Sequence, residues 1–185
     1  NFIDYVNAFS LETAHGMVDV EVTHTLIGFP QSVHEDVGFI VAGDDDYYYA
    51  LVKSRLFDDG NRFSIKVTDT FGDTVTARHI KSDELLGLSL IRFSKQKALT
   101  ILEFTTEIPF DREPIVLLSE INGIDHQMLF GRMTYDKETY VIETSVTLDD
   151  YIFAGVFDIH RKLVGFIRSS DGSLLLYEDV LSFVS

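Results

Sequence analysis

An all-β protein of sandwich or barrel architecture, whose strand count suits two six-stranded barrels, with a short N-terminal helix, is the fold class this sequence predicts. Three observations predict it. About twelve short apolar runs have strand character, turn chemistry separates them, and a helix period appears only in the first ten or so residues. There, Phe2, Tyr5, Val6 and Phe9 fall on one face, with Ser10 or Thr13 as the break ahead of His15-Gly16.

The strands follow in order. Met17-Val18-Asp19-Val20-Glu21-Val22-Thr23 alternates apolar and polar residues, as a half-buried strand does, and the same period recurs in Ser64-Ile65-Lys66-Val67-Thr68 and Val75-Thr76-Ala77-Arg78. Residues 37–42, 47–52, 88–93, 100–104, 115–118, 140–144, 153–157, 163–167 and 174–177 supply the remaining runs. Between them stand Gly43-Asp44-Asp45-Asp46, Asp58-Asp59-Gly60-Asn61, Phe71-Gly72-Asp73, Asn122-Gly123 and Asp171-Gly172. Twelve strands suit two six-stranded barrels, the first over about residues 14–104 and the second over about 114–180. The crossover is expected near 104–113, within one domain spanning 1–185. No Pro/Gly/Ser-rich linker, charge block or fixed-period repeat divides the chain.

Composition narrows the function. Hydrophobic residues at 45% with 24% charged exclude disorder as the main state. Thirty acidic residues against fifteen basic ones give a net charge of −15, the wrong sign for nucleic acid or an anionic lipid surface. The absence of cysteine removes disulfides, thiolate nucleophiles and Cys-based metal sites, and fits either a reducing or an oxidising compartment. No apolar run approaches the roughly 18 residues that cross a bilayer as a helix, and the start of the chain has no basic n-region, so direct membrane insertion is not expected. Because the chain begins at Asn1 rather than Met, it is read as a processed or trimmed part of a longer protein.

Three stretches together resemble the trypsin-like serine peptidases, specifically their HtrA-type branch. The first is Val37-Gly38-Phe39-Ile40-Val41 followed by Tyr49-Ala50-Leu51-Val52-Lys53-Ser54-Arg55-Leu56-Phe57, similar to the family's strand that runs into its histidine segment. The second runs from Ile65-Lys66-Val67 through Gly72-Asp73 and Ala77-Arg78 to Leu88-Ser89-Leu90-Ile91-Arg92-Phe93, where the family carries an aspartate ahead of an apolar strand. The third is Tyr140-Val141-Ile142-Glu143-Thr144 with Phe153-Ala154-Gly155-Val156-Phe157-Asp158 and Lys162-Leu163-Val164-Gly165-Phe166-Ile167, similar to the nucleophile loop and the hairpin after it. The resemblance implies the double barrel of that family, and it covers residues from Met17 to about Ile167.

What the resemblance implies for chemistry is loss. A serine peptidase needs a nucleophilic oxygen, a histidine base and a carboxylate that orients it. The corresponding positions hold Ile152, Arg55 (Ser54 at one residue's slip) and Gly87. Arginine stays protonated near neutral pH and cannot act as general base. The glycines of the oxyanion loop are replaced by Asp150 and Phe153, which are expected to resist the backbone angles that loop requires. No catalytic residue is therefore assigned, and an inactive serine-protease homologue is expected.

Other chemistry weighs less. The six histidines, His15, His24, His34, His79, His126 and His160, form no HExxH or i,i+4 pair, and His34-Glu35-Asp36 reads as a polar loop rather than a zinc site. Gly43-Asp44-Asp45-Asp46 lacks the spaced ligands of a calcium loop and reads as an acidic hairpin tip. A displaced triad can be drawn from Ser145 or Ser54, His79 or His126, and Asp83 or Asp149, but surface and capping roles are commoner for such residues. Asp149-Asp150 reads as a solvated turn rather than a glycosidase pair. There is no phosphate-binding glycine motif, and no metal or cofactor is expected.

The expected function is accordingly binding of protein or peptide as a scaffold, sensor or regulator. Tyr151 and Phe153, beside Ile152, are the candidate peptide-contacting residues. The alternatives are a hydrolase with a relocated site and a structural spacer. By resemblance, an extracytoplasmic location is expected, and an oligomer such as a trimer is compatible with it.

Overall fold

The computed structural model describes residues 12–121, 124–136 and 139–185, and the helix expected over Phe2 to Phe9 lies outside them. Residues 12–14 are helical and end in a turn in which the Gly16 N–H donates to the Thr13 carbonyl at 2.9 Å. From there the protein is all-β, in two compact units, residues 1–102 and 103–185.

In the first unit, β1 (Met17–Leu26), β2 (Phe29–Gly43), β3 (Tyr47–Lys53), β4 (Phe63–Thr68), β5 (Thr74–Asp83) and β6 (Leu88–Ser94) close into a barrel in the order β1-β2-β3-β6-β5-β4. Every neighbouring pair is antiparallel. The alternation read in β1 places Val18, Val20 and Val22 in the barrel core beside Ile40, Val52, Ile65, Val67 and Ile91. Closure leaves no free sheet edge, and β-bulges at His24/Thr25, Ile40/Ala42 and His79/Lys81 supply the added twist that closing six strands demands.

In the second unit, β7 (Pro114–Ile121), β8 (Ile124–Asp136), β9 (Thr139–Thr144), β10 (Gly155–Phe157), β11 (Leu163–Ile167) and β12 (Leu174–Leu176) run in the order β12-β11-β10-β7-β8-β9. The two edges of this sheet meet: Val141 bridges Ser173, and the Ile142 N–H donates to the Gly172 carbonyl at 2.9 Å. Ile115, Leu117, Met133, Ile142, Val156, Val164 and Ile167 fill the interior. In both units the first strand lies between the second and fourth while the third meets the sixth. The two barrels thus share one cyclic order despite the absence of a sequence repeat, because alternation and turn placement, not residue identity, specify it.

Three elements differ from expectation. Residues 100–104 form no strand; only Phe104 pairs, in an isolated parallel bridge to Leu163. β8 was not anticipated, so the count of twelve holds with one strand exchanged, and the Asn122-Gly123 turn ahead of it lies outside the described residues. The last run stops at Leu176, where a helix from Tyr177 to Val184 begins and buries Tyr177, Val180 and Phe183. Their i, i+3, i+6 spacing is a helical face, and Glu178 and Asp179 suit its positive N-terminal end. Among the described residues no helix is long and apolar enough to cross a membrane.

Candidate functional site

The chain turns out of β3 into a single 3-10 turn, Ser54–Phe57, anchored in the barrel by the buried Leu56. That geometry sends Arg55 outward. Its Nη2 lies 3.5 Å from Asp36 Oδ2, and the same oxygen takes Lys53 Nζ at 3.1 Å, so a β2 carboxylate holds both cations. Gly87 occupies the turn before β6 at φ +72°, and its carbonyl accepts the Ser54 N–H at 2.9 Å. Two positions singled out 32 residues apart are therefore neighbours, but a Cβ at Gly87 would meet nothing within 4 Å and there is no side chain there to orient anything.

In the second unit, Ile152 follows the 3-10 turn Asp149–Tyr151 and packs, half-buried, on the core with Tyr151. Asp149 and Asp150 are exposed. Phe153 adopts φ +70°, so the expectation that a non-glycine residue would refuse the left-handed angle is corrected. Its ring is 5% exposed and stacks on Phe166 with centroids 4.8 Å apart and planes 11° from parallel; this burial offsets the backbone strain. Of the two candidate contact residues, then, Phe153 serves the core and only Tyr151 retains exposed surface.

Of the residues considered for a displaced triad, Ser54, His79 and Asp83 share one unit, and among the described residues no hydrogen bond joins any two of their side chains. Asp83 Oδ1 accepts the Leu86 N–H at 3.0 Å, Ser145 and Asp149 are exposed in the other unit, and the His126 side chain is outside the described set. His79 instead bonds a serine that sequence reasoning missed. The bulge at His79/Lys81 brings Ser82 round so that His79 Nε2 and Ser82 Oγ are 2.7 Å apart, and Ser82 Oγ lies 2.5 Å from Ser89 Oγ. The His79 ring sits against Phe57 and Phe63, and burial, which disfavours the charged form, pushes its pKa down. No carboxylate is among its hydrogen-bond partners in the described residues, so the third member of a triad is missing.

A second grouping also escaped the sequence: His24, His34 and Asp59 converge near the loop end of the β1–β2 hairpin. Beyond them the hairpin ends in an apolar tip, with Leu26 56%, Ile27 80% and Phe29 71% exposed. Ile27 and Gly28 are its two loop residues, both with positive φ, 53° and 81°. The Gly43-Asp44-Asp45-Asp46 tip is a self-capped turn: Asp44 Oδ1 accepts the N–H groups of Asp46 and Tyr47, and these bonds hold its carboxyl below the usual range.

No protein-family model matches the chain, and no curated protein matches it in sequence. The class defined by the structure itself is all-β, two units that each carry six antiparallel strands in one cyclic, barrel-like order.

Proposed function

We propose that the chain is an inactive trypsin-like domain of the HtrA type that works by binding protein or peptide. Its chemistry argues against turnover: an arginine tied to Asp36, a glycine with no side chain and a half-buried isoleucine stand where base, carboxylate and nucleophile belong. The observation that carries the binding role is the hairpin tip. Three large apolar side chains stand in water there, and a β-branched residue occupies a left-handed loop position that favours Asn or Gly. Folding alone favours neither feature, and a strained, exposed Ile27 is what a retained contact residue looks like. An extracytoplasmic location belongs to the same proposal and rests on the resemblance.

Two experiments test this. Incubation with unfolded casein and with a fluorophosphonate serine probe is expected to give neither cleavage nor labelling. Labelling of Ser82, Ser54 or Ser145 would establish the relocated hydrolase instead. The Ile27→Asn variant is expected to be more stable by about 1 kcal/mol, since asparagine tolerates the left-handed loop. The same variant is expected to lose the partner that crosslinking captures with the parent protein. A chain that captures no partner from its native host would favour the structural spacer.

A further inference from the structure

We propose that His24, His34 and Asp59 form a binding site for a divalent transition-metal ion of the zinc class. Strand register builds it. His24 on β1 faces Ser32 on β2, and His34 faces Val22, so the two histidines are diagonal neighbours on one face of the hairpin, with ring centroids 5.8 Å apart. The turn after the Ser54–Phe57 segment brings in Asp59. One nitrogen from each ring and one carboxylate oxygen lie within 4.8 Å of one another. Tetrahedral ligand atoms around zinc stand about 3.3 Å apart, and the partly exposed His34 and Asp59 side chains can close that difference by rotation.

The buried histidine supplies the independent sign. His24 is 2% exposed, and its Nε2 lies 2.8 Å from the Leu56 carbonyl, which can only accept. The Nε2 therefore carries the proton, and Nδ1 is left with a lone pair. Among the described residues that Nδ1 has no hydrogen-bond partner, an unfavourable state for a buried acceptor and the required state for a metal ligand. A backbone carbonyl fixing the far nitrogen of a ligand ring is also the usual outer-shell support of a metal-bound histidine.

The other two ligands are already drawn together: His34 Nε2 is 2.6 Å from Asp59 Oδ2, and the Ser32 hydroxyl donates to that same oxygen at 2.7 Å. An ion would replace the shared proton. Two imidazoles and one carboxylate suit zinc, cobalt or nickel better than calcium or magnesium, and leave a fourth position for water. The run His34-Glu35-Asp36 is not the site, since Glu35 faces Glu21 and Asp36 turns to Lys53 and Arg55. A bound ion would tie the Asp59 turn to the stem of the hairpin, and this holds whether or not the tip binds a partner.

Zinc chloride titrated calorimetrically into the chelator-stripped protein is expected to bind one ion per chain and to raise the melting temperature. Cobalt is expected to give the visible absorption of a tetrahedral site. His34→Gln and Asp59→Asn, which alter partly exposed side chains and are checked for folding by circular dichroism, should each weaken binding at least about tenfold. His160→Gln, an exposed histidine elsewhere, should leave it unchanged. Absence of stoichiometric binding, or equal binding by both ligand variants and the parent, would overturn the assignment.

Discussion

Replacing Gly165 with alanine is expected to destabilise the second unit by about 3 kcal/mol or more, or to prevent it from folding. Gly165 lies in the middle of β11, paired with Val156 on β10 and with Leu176 on β12. A Cβ there would overlap the Leu175 carbonyl oxygen and come within 3.0 Å of its carbon and 3.2 Å of the Leu176 Cα. All three are backbone atoms of a paired strand, so no rotamer change relieves the clash and the β11–β12 ladder itself must move. Gly72→Ala is the contrasting variant. Gly72 has φ +85° but open space around it, so the cost there is backbone strain alone, about 1 kcal/mol. Denaturant midpoints should therefore fall much further for Gly165→Ala than for Gly72→Ala, and equal shifts would show that β12 does not press on Gly165 as described.

The contrast explains what the sequence could disclose. Turns were readable because their chemistry is local: Gly60, Gly72 and Gly172 all take positive φ within the acidic, glycine-containing loops that mark them. Strands were readable where one face is buried, as in β1, whose valines alternate with Asp19 and Glu21. Residues 100–104 show the limit. Leu102 is buried between the exposed Ile101 and Glu103, a correct alternation, and its N–H donates to the Ile40 carbonyl, yet no ladder forms. Local pattern reports an extended, half-buried segment; whether a neighbour pairs with it is a non-local matter.

The hairpin tip was hidden for a related reason. Ile27 stands where a two-residue loop ordinarily carries Asn or Gly, and Pro30 sits inside β2, so neither the turn nor the first half of that strand announces itself. The grouping of His24, His34 and Asp59 was hidden more deeply. His24 and His34 meet only through the cross-strand register that places Ser32 opposite His24 and Val22 opposite His34, and Asp59 arrives from beyond β3. By contrast, the strands flanking Arg55 and Gly87 were readable, since Arg55 follows β3 and Gly87 precedes β6, and the Ser54 N–H donated to the Gly87 carbonyl brings the two turns together.

Phe153 offers the sharpest test of whether its backbone carries a glycine's geometry. Truncating a fully packed phenylalanine to alanine costs about 3–5 kcal/mol, and the loss of the Phe166 stack puts Phe153→Ala within that range. At an ordinary strand position glycine would be worse still, by about 0.5–1 kcal/mol. At φ +70° the order inverts, because alanine keeps the left-handed penalty of about 1–2 kcal/mol that glycine escapes. The Phe153→Gly variant is therefore expected to be about 1 kcal/mol more stable than Phe153→Ala, while both remain well below the parent in chemical denaturation. The reverse order would mean that Phe153 is not held in the left-handed region in solution. The inverted order would show that the phenylalanine ring makes up in core packing what the main chain gives up in strain.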